Sequence, residues 1–152
     1  MTVEKPRFIV DSMLGSLVKW LRMLGYDTEY ARDLDDDSIA KLAAKEGRHI
    51  LTRDRALASQ PGATMIEGDN IDSQLRAVNV RYSLSLDEGA IRCSACNGAL
   101  VDLPREEATG VVPKGALENN DVFWKCAACG KAYWKGTHWL GIMDRLRKLN
   151  LA

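Results

Sequence analysis

Two Cys-x-x-Cys pairs, Cys93/Cys96 and Cys126/Cys129, constrain this 152-residue chain more than any other feature, and they account for all of its cysteines. Two residues between cysteines form a tight turn whose sulfurs face one way, and Gly98 and Gly130 permit the sharp bend after each knuckle. Two knuckles closing on one ion make a tetrahedral site with no open position for water. That is a structural Zn2+ site, with Cys93, Cys96, Cys126 and Cys129 as ligands. A pair of redox dithiols is the competing reading, and the paired knuckles with flanking glycines favour the metal. Four thiolates on Zn2+ leave a double negative charge, which Arg92, Lys125 and Lys131 are placed to offset. The long stretch between the knuckles calls for a hairpin or loop insertion.

Ahead of this ribbon the chain alternates short apolar runs with helical patterns. Phe8-Ile9-Val10 reads as a strand ending at Asp11, and Leu14, Leu17, Val18, Leu21 and Leu24 recur at helical spacing before Gly25. Thr28-Glu29-Tyr30 reads as a second strand, and Asp36 or Asp37 opens a helix that Gly47 closes. His49 to Thr52 and Ala63 to Ile66 read as further strands. Asp72 caps a helix carrying Leu75, Val78 and Val80. This alternation predicts an α/β fold, a three-layer sandwich around a mainly parallel sheet. A polar turn at 86–89 marks the expected boundary, with residues 1–89 as the sheet domain and 90–152 as the ribbon with a C-terminal helix. In that helix Leu140, Met143, Leu146 and Leu149 share one face.

Apolar residues make up 46% of the chain, enough to fill a core, which excludes a disordered or collagen-like class. Basic and acidic residues balance at 21 each, so overall charge names no partner. Residues 1–90 hold 12 basic and 15 acidic side chains, leaving a weakly basic remainder. No apolar run is long enough to cross a bilayer and residues 1–10 lack a secretory pattern, so no membrane partner and a cytoplasmic location are expected.

Ligand sites in open parallel sheets lie at the carboxyl ends of the strands, near the point where strand order reverses. Asp11 ends the first strand, Asp54 follows the third by two residues, and Asp36 opens the helix between them. Each alone is explained by capping or turn formation. Together, like charges without a counter-ion are costly unless a divalent cation holds them. Carboxylates favour Mg2+ or Mn2+ with water retained, which suits hydrolysis of a phosphodiester. Arg22, Arg48, Arg53 and Arg55 are candidate phosphate contacts, Arg53 standing next to Asp54. In the ribbon Trp124, Tyr133, Trp134 and Trp139 lie among Lys125, Lys131 and Lys135, with Lys131 and Lys135 as candidate RNA contacts. The same aromatics also suit a small ribbon core or a seam with the front domain.

Phe8-Ile-Val-Asp-Ser-Met-Leu-Gly-Ser-Leu-Val-Lys-Trp-Leu-Arg-Met-Leu-Gly-Tyr-Asp27, Ile50-Leu-Thr-Arg-Asp54, Arg92-Cys-Ser-Ala-Cys-Asn97 and Cys129-Gly-Lys-Ala-Tyr-Trp-Lys-Gly-Thr-His138 follow one another in a familiar order. Together they resemble the mut-seven C-terminal ribonuclease family, a PIN-like group, over almost the whole chain. The resemblance implies a PIN-like sandwich followed by a zinc ribbon, with metal-dependent ribonuclease activity. Asp11 matches the family's strand-end acid, Asp36 the acid opening the next helix, and Asp54 that of a Thr-x-Asp element. Asp72 is the candidate for a fourth acid.

The leading expectation is a Mg2+/Mn2+-dependent endoribonuclease acting on single-stranded RNA, with catalytic Asp11, Asp36, Asp54 and Asp72. Its ribbon aids RNA or protein binding. The alternative is a non-catalytic RNA- or protein-binding module on the same fold.

Overall fold

The computed structural model describes residues 4–152. Four parallel strands, β1 (Arg7–Asp11), β2 (Thr28–Ala31), β3 (Arg48–Thr52) and β4 (Ala63–Met65), form a sheet in the order β2-β1-β3-β4. Alternation along β1 shows why the chain forms three layers. Phe8 and Val10 enter one core with Leu17, Leu21, Leu75 and Val78, while Ile9 enters a second with Ile39, Ala43 and Leu57. The first core lies under α1 (Gly15–Leu24) and α4 (Ile71–Tyr82), the second under α2 (Asp36–Glu46) and α3 (Arg55–Ala58). A strand buried on both faces can be apolar throughout, as Phe8-Ile9-Val10 is. The expected α/β fold with a parallel sheet flanked by helices is thus present. Gly25 ends α1 at a φ of 104°, a left-handed conformation that glycine adopts without strain.

The second sheet is antiparallel, β5 (Leu100–Leu103), β6 (Phe123–Cys126) and β7 (Ala132–Trp134) in that order. Two short helices, α5 (Arg105–Ala108) and α6 (Lys114–Asn119), fill the stretch between the knuckles. They close a small core of Leu103, Ala108, Val112 and Phe123.

The tail helix, α7 (Thr137–Lys148), was expected to group with the ribbon. Its buried side chains Met143 and Leu146, and Leu149 at its C-cap, lie instead in the first core, with Phe8, Leu17 and Leu75. The chain leaves the front domain, builds the ribbon, and returns to finish the front core. Beyond α7, Leu151 is also buried in that core, and its carbonyl accepts from the Leu86 N–H. Leu140 is exposed, and Trp139 and Ile142 pack on the core in its place, because the buried stripe runs to one side of it. Val80 is likewise exposed, lying about 200° around the helix from Val78. The α4 cap is Asn70, in a reciprocal capping box with Ser73, so Asp72 sits inside the first turn rather than at the cap.

Asp27 ties ribbon and sheet domain together. Its carboxylate accepts from Arg48 at 2.8 Å and Arg7 at 3.2 Å, and Arg92 lies at 3.7 Å. The Asn97 amide donates to it at 2.7 Å, while the Asn97 carbonyl oxygen accepts from the Thr28 N–H. Asn97 follows the first knuckle, so the thiolate turn itself carries the latch. Burial pushes the Asp27 carboxyl up, but Asn97, Arg48 and Arg92 outweigh it and hold its pKa at about 2, below the ordinary 3.8. A depressed carboxyl stabilises the fold above its unfolded value and loses that contribution as pH falls through the folded one. Asp27→Asn is therefore expected to cost about 2 kcal/mol at neutral pH. It should also weaken the acid dependence of stability between about pH 4 and pH 2, as measured by urea titration across that range.

Candidate functional site

Strand order reverses between β1 and β3, and Asp11 stands at their carboxyl ends. Val10 is in register with Leu51, which brings Asp11 beside Thr52. Its carboxylate is largely buried, at 7% exposure. One oxygen accepts from the Met13 N–H at 3.0 Å, capping the turn at Ser12–Leu14, and the other accepts from the Arg53 N–H at 3.2 Å and the Thr52 hydroxyl. A carboxylate offers about four acceptor positions, so one remains for a further ligand. Asp11, rather than the neighbouring Ser12, thus supplies the side-chain cap of this turn.

Asp54 caps α3. One of its oxygens accepts from the N–H groups of Ala56 at 2.8 Å and Leu57 at 3.4 Å, leaving the other toward solvent. Its own N–H donates to the Thr52 hydroxyl at 2.9 Å, so Thr52 bridges the two acids. The cap of α2 is Asp35, which accepts from the Ser38 N–H at 2.7 Å. Asp36, expected at the cap, is thereby released from it and stands exposed at the first helical position. Its carboxyl is raised above the usual range by desolvation and then by the charges of Asp54, Asp11, Asp35 and Asp37. Acids from three separate elements thus share one field at this edge. Among the described residues none of Asp11, Asp36 or Asp54 pairs with a lysine or arginine.

Asp72 stands apart. It lies 3.6 Å from Arg145 of α7, an ion pair that none of the other three acids makes among the described residues. Arg22 is not available to a phosphate. It is 5% exposed, and its guanidinium donates to the carbonyls of Thr28 and Ser94, a seam contact that burial alone dictates. Arg53 donates to the Gly68 carbonyl at 2.9 Å and lies 3.9 Å from Asp69, which commits it to the β4–α4 loop. Lys131 lies over the Tyr133 ring, and Lys135 pairs with Glu88 between Trp124 and Trp139. Arg32, at the end of β2, is exposed and, among the described residues, without an ion pair. It stands one residue past a strand at the edge where the acids gather.

The cysteines are the one group of metal-ligating side chains among the described residues whose ligand atoms all lie within 4.8 Å of one another. The acids at the sheet edge do not close to that spacing. Zn–S bonds of about 2.3 Å place tetrahedral sulfurs about 3.8 Å apart. Here Cys93 and Cys129 are separated by 3.7 Å and Cys96 and Cys126 by 3.4 Å, so the quartet fits a zinc ion. Burial raises the Cys126 thiol, but the N–H groups of Cys129 and Ala128 favour its thiolate and bring it down to about 6. Those donors are the backbone of the knuckle itself. Gly98 is required at its place because a side chain there would meet the Cys126 sulfur. The ribbon is therefore a metal-ligand turn first and a sheet second.

The architecture defines a class: a parallel α/β domain with acids at its switch point and a four-cysteine ribbon latched to it. The family model described as Mut7-C RNAse domain matches residues 6–146. The chain belongs to the Mut7-C RNAse domain family. No curated protein and no solved structure matches it. No helix among the described residues is long and apolar enough to cross a membrane.

Proposed function

We propose that this protein is a Mg2+- or Mn2+-dependent endoribonuclease that cleaves single-stranded RNA at the carboxyl edge of its parallel sheet. One observation carries the reading: Asp11, Asp36 and Asp54 stand at one edge of the sheet, with Thr52 linking the first and the last, and among the described residues none of them pairs with a basic side chain. Membership in an RNAse domain family supports RNA as the substrate class.

Asp11 would hold the ion through its one remaining acceptor position and Asp54 through the oxygen that capping leaves free, and Asp36 would complete the site. Mg2+ keeps several waters, so the acids need not converge as tightly as the thiolates do. A bound dication supplies an activated water and offsets charge on the phosphoryl group. Thr52 positions Asp11 and Asp54 together. Arg32 and Arg55, both exposed at this edge, would contact the RNA phosphates. The cysteine quartet would hold zinc in a structural role, since its four thiolates leave no open position. The site of action would be the cytoplasm.

The spacing of the acids favours a second reading, a catalytically idle RNA-binding module. Manganese binding separates the two. Electron paramagnetic resonance of the zinc-loaded protein should show saturable Mn2+ uptake that is lost in Asp11→Asn and in Asp54→Asn. RNA binding without Mn2+ uptake or cleavage would select the idle module.

A further inference from the structure

All four tryptophans of the chain line two adjoining cavities at the seam of α1, β7 and α7. The first, about 580 Å3, is walled by Trp20, Trp134 and Trp139, with Lys19, Lys131 and His138 on its lining and no acid there. The second, about 430 Å3, adds Trp124 and Lys135, together with Glu88 and Asp102. Met23, Tyr133, Trp134 and Trp139 belong to both and form the partition between them.

An ordinary domain seam uses its aromatics to fill space. Here the volumes stay open, in the range of small-molecule sites, and the tryptophans stack on no other aromatic ring among the described residues. Cations lie over the rings instead, toward the outer limit of a cation–π contact. Arg145 lies 5.6 Å from the Trp20 centroid, Lys135 lies 5.6 Å from that of Trp139, and Lys131 lies 5.4 Å from that of Tyr133. A groove of aromatic rings with at most one cation over each offers bases a stacking surface and their phosphates a counter-charge.

We propose that this divided groove is a stacking site for successive bases of single-stranded RNA, with the backbone running along Lys19 and Lys131. The inference rests on the ribonuclease reading for its ligand class and adds where that ligand is gripped. From the start of α1 near Asp11 to Met23 is about 12 Å of helix, so α1 joins the acid edge to the groove. Base stacking is indifferent to sequence, and the groove therefore holds the strand while the edge acts on it.

The test uses the full zinc-loaded chain without added magnesium or manganese, titrated with a ten-residue oligouridylate while tryptophan emission is recorded. Saturable quenching is expected. Trp139→Ala should raise Kd about tenfold, with Trp139→Phe restoring most of the affinity. Because Trp139 also touches the front core, the exposed pair Lys19→Gln/Lys131→Gln provides an independent arm. It should weaken binding and lower the salt slope by one to two, approximately. Unchanged emission, unchanged affinity in the lysine pair, or equal affinity for duplex RNA or polyglutamate would overturn the groove. Quenching with no cleavage under any divalent metal would sustain the groove and sink the nuclease reading alone. Cleavage with no quenching would do the reverse.

Discussion

Asp11→Asn is expected to lower metal-dependent RNA cleavage by more than about 100-fold, since even outer-shell changes around a metal cost 10 to 100-fold. The fold should persist. Asparagine keeps an oxygen for the Met13 N–H, but its amide would face the Arg53 N–H, donor against donor. That conflict costs about 1–2 kcal/mol. Asp54→Asn is the cleaner partner experiment, because asparagine caps a helix as well as aspartate does and stability should scarcely change. Asp36 is exposed and caps nothing, so Asp36→Asn isolates charge from structure. Cleavage rates measured beside thermal melts check all three. Undiminished turnover in both Asp11→Asn and Asp54→Asn would end the ribonuclease proposal.

Zinc removal is expected to unfold the ribbon and spare the sheet domain. Structural zinc contributes on the order of 10–16 kcal/mol in small isolated modules. The ribbon's own core of Leu103, Ala108, Val112 and Phe123 is too small to replace that. Hydrogen exchange before and after chelation should show protection lost across residues 91–136 and kept in β1, β3 and α1. The structure sharpens the expectation for α7, which follows the ribbon in sequence yet buries Met143 and Leu146 in the front core. Its amides should stay protected although the segment before it melts. Loss of the Asn97 latch on Asp27 should lower the melting temperature of what remains. Simultaneous exchange of ribbon and sheet would mean a single cooperative unit.

The strands of the front domain and its helices α1, α2 and α4 were readable because their apolar periods are strong, and Gly25 and Gly47 mark two of the stops, whereas the single turn of α3 carries no such period. Asp11 and Asp54 were also readable as strand-end acids, since a parallel sheet places such residues at one edge. Capping roles were less so. Asp35 rather than Asp36 caps α2, and Asn70 rather than Asp72 caps α4. Runs of Asp, Asn and Ser offer several caps of nearly equal energy, and only the path of the incoming loop chooses among them. Arg22 looked like any surface arginine. Its burial depends on Ser94, 72 residues away in sequence.

The chain's local chemistry therefore settled two things by itself: a thiolate quartet able to hold a metal, and a strand–helix alternation that makes a parallel sheet. Both rest on short-range spacing, of knuckle turns in one case and of apolar residues in the other. Tertiary structure alone decided which acids share a field, which arginines are spent on the seam, and that the last helix completes the first core. These depend on pairings across tens of residues. Their energy is set by burial and by the partners that burial brings together, and neither is written in any local stretch of sequence.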